Sequence, residues 1–276
     1  MFKQPLYLVP FDFSLVSEKS LQLSLDLAKI NNGSVYLLHI AKKDYDKNPA
    51  KLKFDELEKT FSEEQKAIIT TKVITGNLYE DVGKAGQLLK ATMIIMGTHG
   101  AQGLQKVFGS HAVKIVQNSS TPLIIMQDES NLEKLKTIVM PFSFAKESIQ
   151  IATFAGSIAK QFNAKIHLVG FHSNDELLES KTSNNQKIVK ELLDDNNVDF
   201  EVVNLPREKS FEAELLDYAQ EVNADMISAA YYHRDGGLPT LKSFVQQMIE
   251  NEHNIPFLTV NAEELTSRNS QYSFMR

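Results

Sequence analysis

The chain repeats itself at long range, and that repeat constrains the fold more than any short motif does. Residues 7–15 read YLVPFDFSL and residues 138–146 read IVMPFSFAK, which sets Pro10 opposite Pro141 at an offset of 131. GSVYLLHI (33–40) faces AKIHLVGF (164–171) at the same offset. ATMIIMG (91–97) then faces ADMISAA (224–230) at 133, and STPLIIM (120–126) faces NIPFLTV (254–260) at 134. Solenoid units run ~20 to 50 residues, far below this period. Duplication of a whole domain fits, with the boundary near the polar stretch QDESNLEKLK (127–136). The expected organisation is a first domain over 1–130, a second, degenerate copy over 131–262 and a tail over 263–276.

Each copy alternates strand and helix signals. In the first, LYLVP, SVYLLHI, IITTKVI, TMIIM and PLIIM are short aliphatic or β-branched runs suited to strands. Their apolar character is continuous, as expected of parallel strands covered on both faces. Between them, SEKSLQLSLDLAKI sets Leu21, Leu25 and Ile30 at helical spacing, with Ser14 or Ser17 as the cap. KFDELEKTF places Phe54, Leu57 and Phe61 on one helical face. YEDVGKAGQLLKA and SHAVKIVQNS supply two more helices, the former despite Gly83 and Gly86. The fold class is therefore α/β: two tandem copies of an open five-stranded parallel sheet with helices on both faces. Ligands of such sheets bind beyond the strand C-termini, where the strand order reverses.

Composition removes several functions. The chain has no cysteine, which excludes disulfides, thiolate metal sites and cysteine nucleophiles. A net charge of −6 argues against a nucleic-acid partner, which requires a basic surface. No run approaches the ~18 to 20 apolar residues of a membrane span, and MFKQPLYLVPFDFS lacks a secretory pattern. A cytoplasmic location without membrane contact is expected.

At the end of TMIIM four glycines follow within thirteen residues: Gly97, Gly100, Gly103 and Gly109. A bare backbone tolerates positive φ and lets a ligand approach closely. Gly109-Ser110 then opens a helix, whose free N–H groups and positive dipole end suit a phosphate. An ordinary strand-to-helix connection would also use glycine for turns and serine as a cap. No GK[ST] follows, so this is not the nucleotide loop of the large NTPase class. The dinucleotide fingerprint is absent too, because the first strand runs into PFDFS.

Taken in order, LVPFDFSLVSEKSLQLSLDLAK, LLHI, IIMGTHG and GSHAVKIVQNSSTPLIIM resemble the universal stress protein family. The resemblance covers residues 5–126 well and 137–260 more faintly, as in a tandem form of the family. It implies the adenine nucleotide alpha hydrolase-like fold and pairing of the two domains within the chain or of two chains. It also implies binding of ATP or another adenine nucleotide, with or without Mg2+. The family signature G-x2-G-x9-G-[ST] is matched by Gly97, Gly100, Gly109 and Ser110, with eight residues instead of nine in the second spacing. By position, Pro10, Phe11 and Ile40 correspond to the surroundings of the base and Asp12 to the acidic residue at the adenine and ribose end. Met96 begins the loop beside them, and Ser110 with the backbone of His111 corresponds to the phosphate end. Taken alone, Asp12 reads equally well as a carboxylate facing a helix dipole, and the others as strand-end packing.

Three histidines, His39, His99 and His111, fall near one sheet edge, but their spacings match no compact metal-ligand motif. His99 or His111 is instead expected to touch phosphate, which would make binding pH-dependent. No catalytic base with a metal partner is evident, and the resemblance implies a nucleotide-binding protein of the stress response. A slow ATPase and a structural or chaperone-like dimer with a vestigial site are the alternatives.

The second copy keeps the scaffold and drops the site. Ser143 replaces Asp12, Ala230 replaces Gly97, His233 stands at Gly100 and Ser243 at Gly109, with Pro239 and Phe244 nearby. The polar stretch Tyr231, Tyr232, His233, Arg234, Asp235 reads as a solvated loop or as the site of another ligand. PLIIM and IPFLTV, the last strand of each copy, are the expected pairing edges, and Tyr272, Phe274 and Met275 in the tail are candidates for docking on a partner.

Overall fold

The computed structural model describes residues 4–98, 108–130, 134–143, 147–171, 175–206, 208–231 and 240–262. The chain divides into two units, Met1–Glu129 and Ser130–Arg276. The first runs β1 (Leu6–Pro10), α1 (Leu15–Asn31), β2 (Ser34–Ala41), a 3-10 turn (Asp44–Asp46), α2 (Lys47–Thr60) and α3 (Glu63–Ile68). It continues through β3 (Ile69–Thr75), α4 (Leu78–Leu89), β4 (Met93–Thr98), α5 (Phe108–Gln117) and β5 (Leu123–Gln127). The second runs β6 (Thr137–Pro141), α6 (Glu147–Phe162), β7 (Lys165–Gly170), α7 (Glu176–Asp195) and β8 (Phe200–Asn204). It ends with α8 (Phe211–Glu221), β9 (Met226–Tyr231), α9 (Thr240–Ile249) and β10 (Phe257–Asn261).

Within the first unit every pairing is parallel and the strand order is β3-β2-β1-β4-β5. The second repeats that permutation as β8-β7-β6-β9-β10. Starting from its first strand, each unit builds outward in one direction and then returns to build in the other. The reversal therefore falls between β1 and β4, and again between β6 and β9. Strands β4, β5, β9 and β10 are buried along nearly their whole length, which requires cover on both faces.

Helix α1 shows how the sequence sets this packing. Ser14 caps it by accepting a hydrogen bond from the Ser17 N–H, and Asn32 ends it in the left-handed region at φ 49°. Leu21 and Leu25 are buried as their spacing predicts, but Ile30 is 47% exposed and lies off the core face. Ser17, Ser20 and Ser24 are buried instead, and their hydroxyls donate to the carbonyls of Ser14, Val16 and Ser20. Small side chains bonded back to their own helix let α1 lie close on the sheet. Glycine does the same in α4: a Cβ on Gly83 would come 2.3 Å from the Asn118 carbonyl oxygen. One on Gly86 would come 2.9 Å from the Thr121 hydroxyl. Both glycines cost helix propensity, about 1 kcal/mol each against alanine, and close approach to the chain before β5 is what they secure.

Phe54 is buried on α2, whereas Phe61 is buried just past its end, at the C-cap. The short α3, closed by a reciprocal capping box between Ser62 and Gln65, is absent from the sequence expectation. In the second unit the single 20-residue helix α7 stands where the first has α2 and α3.

Candidate functional site

The site begins where two neighbouring strands part. Strand β1 pairs with β4 at Tyr7–Met93 and Leu8–Ile94. On its other side β1 stays paired with β2 as far as Pro10–Leu38, while β4 stays paired with β5 as far as Thr98–Gln127. The C-terminal ends of β1 and β4 are thus held by their outer neighbours. A crevice opens at the reversal of strand order, the place where ligands of open parallel sheets bind.

Pro10, Phe11 and Asp12 follow in line at the β1 side of this crevice. The Phe11 N–H donates to the Leu38 carbonyl at 2.9 Å, extending the ladder by one bond. Its carbonyl oxygen lies 2.8 Å from Nδ1 of His39. A carbonyl can only accept, so Nδ1 carries the proton and Nε2 is the acceptor nitrogen of the neutral ring. The N–H and the carbonyl of Phe11 are therefore both engaged within the protein. Asp12 is exposed, and its Oδ1 accepts from the Ser14 N–H at 3.0 Å and from the Ser14 hydroxyl. The Asp12 carboxylate thus braces the entry to α1 at its positive end.

Ile40 is half-buried near the end of β2, paired with Ile74. Across the crevice Met96 is buried in β4. A Cβ on Gly97 would fall 2.6 Å from both methyl groups of Val16 and 2.9 Å from its backbone carbon. The missing side chain of Gly97 is thus accounted for by the first turn of α1, which rests on β4. A ligand need not be invoked for this glycine.

Sequence reasoning did not assign Phe13, Phe54 or Lys53 to the site, yet the fold brings them to the same edge. Phe13 has φ 66°, a left-handed backbone unfavourable for an aromatic residue. Its ring centroid lies 4.9 Å from that of Phe54 and 5.3 Å from those of Phe11 and His39. The Lys53 ammonium lies 5.1 Å from the Phe13 ring centre, within cation–π range. The visible signal was the alternation of Phe11 and Phe13 around Asp12, but which aromatic on α2 meets them depends on helix placement.

Gly109, Ser110 and His111 lie in the first turn of α5, which starts at Phe108, two residues before the Ser110 at which the pattern SHAVKIVQNS begins. The first four N–H groups of a helix have no partner within it. His99, Gly100 and Gly103 lie outside the described residues, as do Tyr232 to Asp235, Pro239 and the tail residues Tyr272, Phe274 and Met275. Among the described residues, no group of three or more His, Asp or Glu is placed to hold a metal ion. No helix among them is long and apolar enough to cross a membrane.

The second unit meets the same geometry differently. Strand β6 pairs with β9 at Ile138–Met226 and Val139–Ile227, then leaves it as β1 leaves β4. The Phe142 N–H donates to the Val169 carbonyl at 2.9 Å, repeating the bond of Phe11. Ser143, in place of Asp12, donates its N–H to the Ser148 hydroxyl oxygen at 3.1 Å, and its carbonyl accepts from the Asn185 amide at 3.2 Å.

Residues 7–127 match the family described as the universal stress protein family. No curated protein matches the chain in sequence. Among solved structures, the chain is similar to a universal stress protein from Archaeoglobus fulgidus DSM 4304, at 17% identity and a TM-score of 0.72. That match covers 94% of this chain and 99% of the other. A protein assigned as a universal stress protein from Pseudomonas aeruginosa UCBPP-PA14 is similar at 15% identity and a TM-score of 0.65, with 96% of each chain covered. A functionally unknown protein from Pseudomonas aeruginosa PAO1 is similar at 15% identity and a TM-score of 0.63, covering 96% of this chain and 98% of its own. At such identities these structures establish the shared two-unit fold alone. The first unit thus matches the universal stress protein family over residues 7–127, and the chain as a whole shares the fold of those two-unit structures.

Proposed function

We propose that the first unit binds ATP or a related adenine nucleotide at the C-terminal ends of β1 and β4, and that the bound state regulates association with a partner. In this reading Pro10, Phe11 and Ile40 flank the base, Asp12 faces the ribose, and the first turn of α5, with Gly109, Ser110 and the His111 backbone, takes the phosphates. The parting of β1 from β4 at their C-terminal ends, together with the return of the chain from β4 through α5 to β5, is the observation that supports the proposal. The residues present fit such a ligand: apolar walls and a carboxylate at one end, a helix N-terminus at the other. Lys53, held over Phe13, adds positive charge on the same edge. A nucleotide acts on the partner only through different affinities for two states of the protein. No residue is assigned a catalytic role.

Calorimetric titration of the full chain with Mg-ATP tests this. One site per chain is expected, lost in Gly109→Val and unaffected by substitutions in the second unit. Absence of binding by the native chain, to ATP, ADP and AMP alike, would overturn the proposal.

A further inference from the structure

In the second unit the corresponding strand ends carry a row of aromatic rings. Phe171 stands just past β7, at the place of Ile40 in the first unit. Phe211 is the first residue of α8, directly after its cap Ser210, as Leu78 follows the cap Asn77 of α4. Phe244 lies in α9 and corresponds to Ser110 under the offset of 134 that aligns β10 with β5. The Phe171 and Phe211 centroids are 4.8 Å apart with the rings edge to face, and those of Phe211 and Phe244 are 6.2 Å apart with the rings nearly parallel. Both spacings are attractive aromatic geometries. Since β7 and α9 lie on opposite sides of β6, the row crosses the reversal between β6 and β9.

Two further differences close the same edge. Gly170 stands where the first unit has His39, and a Cβ there would come 2.9 Å from the Phe142 ring. The ring thus occupies space that an imidazole would need. Asn185 on α7, at the place of Phe54, ties that helix to the Ser143 carbonyl.

We infer that Phe171, Phe211 and Phe244 fill, from within the chain, the place in the second unit that corresponds to the ligand crevice of the first. They are the residues that restrict ligand binding to one of two copies. That the first copy takes a nucleotide rests on the reading above; the filling of the second does not.

The test uses the full chain and indole, a planar bicyclic probe, followed through methyl resonances of Leu215 and Met248, both buried on α8 and α9. The variant F171I/F211L/F244S carries the first unit's residues at the three positions. Millimolar indole is expected to shift these resonances saturably in the variant and to leave the native protein unmoved. Phe244→Leu, which keeps most of the filling, is expected to behave as native. Should the triple variant fail to fold, Phe244→Ala is measured in its place, with the same expected uptake. Native protein that shifts as the variant does would show an open site lined by the rings. A folded variant that takes up no indole would show that the rings fill nothing. Either result overturns the inference. Mg-ATP titration of the same variant, read in the first unit, separates failure of the nucleotide reading from failure of this one.

Discussion

Ile95 and Ile125 lie buried on the adjacent strands β4 and β5, each contributing hydrocarbon to the core of the first unit. At the matching places on β9 and β10 the second unit has Ser228 and Thr259, also fully buried, and neither hydroxyl has a hydrogen-bond partner. At the strand ends the contrast reverses. The first unit sets Asp12, His39 and Lys53 there, while the second brings Phe171, Phe211 and Phe244 into a row. One backbone plan thus supports an aliphatic centre below an edge that mixes aromatic with charged groups, and a partly polar centre below an edge crossed by a row of phenylalanines. Parallel pairing is made by the backbone, so the duplicated sheet persists while side chains exchange tasks.

Core truncation should separate the units most strongly. Ile95→Ala is expected to cost about 2–5 kcal/mol, the range for removing a buried aliphatic side chain. Ser228→Ala should be neutral or stabilise by about 1 kcal/mol, because it removes an unsatisfied buried hydroxyl. Urea unfolding of the two variants checks this, and equal losses would show that the two centres are packed alike.

The Gly97–Val16 contact comes next. Gly97→Ala should destabilise the first unit by about 1–3 kcal/mol through overpacking against α1. Its counterpart Ala230→Gly should cost only about 0.5–1 kcal/mol, from backbone entropy. The same denaturation experiment decides; a tolerated Gly97→Ala with weakened Mg-ATP binding would return that glycine to the ligand. A smaller effect of opposite sign is expected from Thr259→Val, which keeps the shape and removes the orphaned hydroxyl. A gain of about 1 kcal/mol is predicted.

The smallest difference concerns pH. His167 on β7 holds its Nδ1 2.7 Å from the Tyr218 hydroxyl and 3.2 Å from Glu201, whose other oxygen binds Lys165 at 2.7 Å. Burial pushes the His167 imidazole below the usual 6.5, against the opposing pull of the Glu201 carboxylate. The folded state therefore favours the neutral ring. Its contribution is complete above about pH 6.5 and declines as the pH falls through the lower, folded value. The second unit should lose stability as the pH falls below about 6.5, read from its methyl resonances during urea unfolding. His167→Tyr, the residue found at the matching Tyr36, should flatten that dependence.

Much of this molecule was legible in its residues, and the exceptions share a cause. The strands were readable because YLVP, MIIM and LIIM are short unbroken apolar runs, and Ser14 was readable as a cap from its place before a helical pattern. Ile30 was misread because the amphipathic pattern of α1 is blurred by buried serines, whose hydroxyls bond to their own helix. The packing role of Gly97 was not readable, since nothing in MIIMGTHG shows that Val16, eighty-one positions earlier, leans on it. The Phe13–Phe54–Lys53 group was missed because it joins a turn after β1 to a helix after β2.

The amino-acid sequence by itself determined the duplication, the parallel α/β class, the family resemblance of the first unit and the loss of its glycine pattern in the second. These are properties of local pattern and long-period repetition, which a linear chain carries in full. Only the tertiary structure decided that β1 and β4 part at their ends, that Val16 explains Gly97, and that three phenylalanines spread over seventy-four positions meet in a row. Each of these is a contact between distant segments. Its existence depends on the spacing of packed elements to within about an ångström, which side-chain pattern along the chain does not encode.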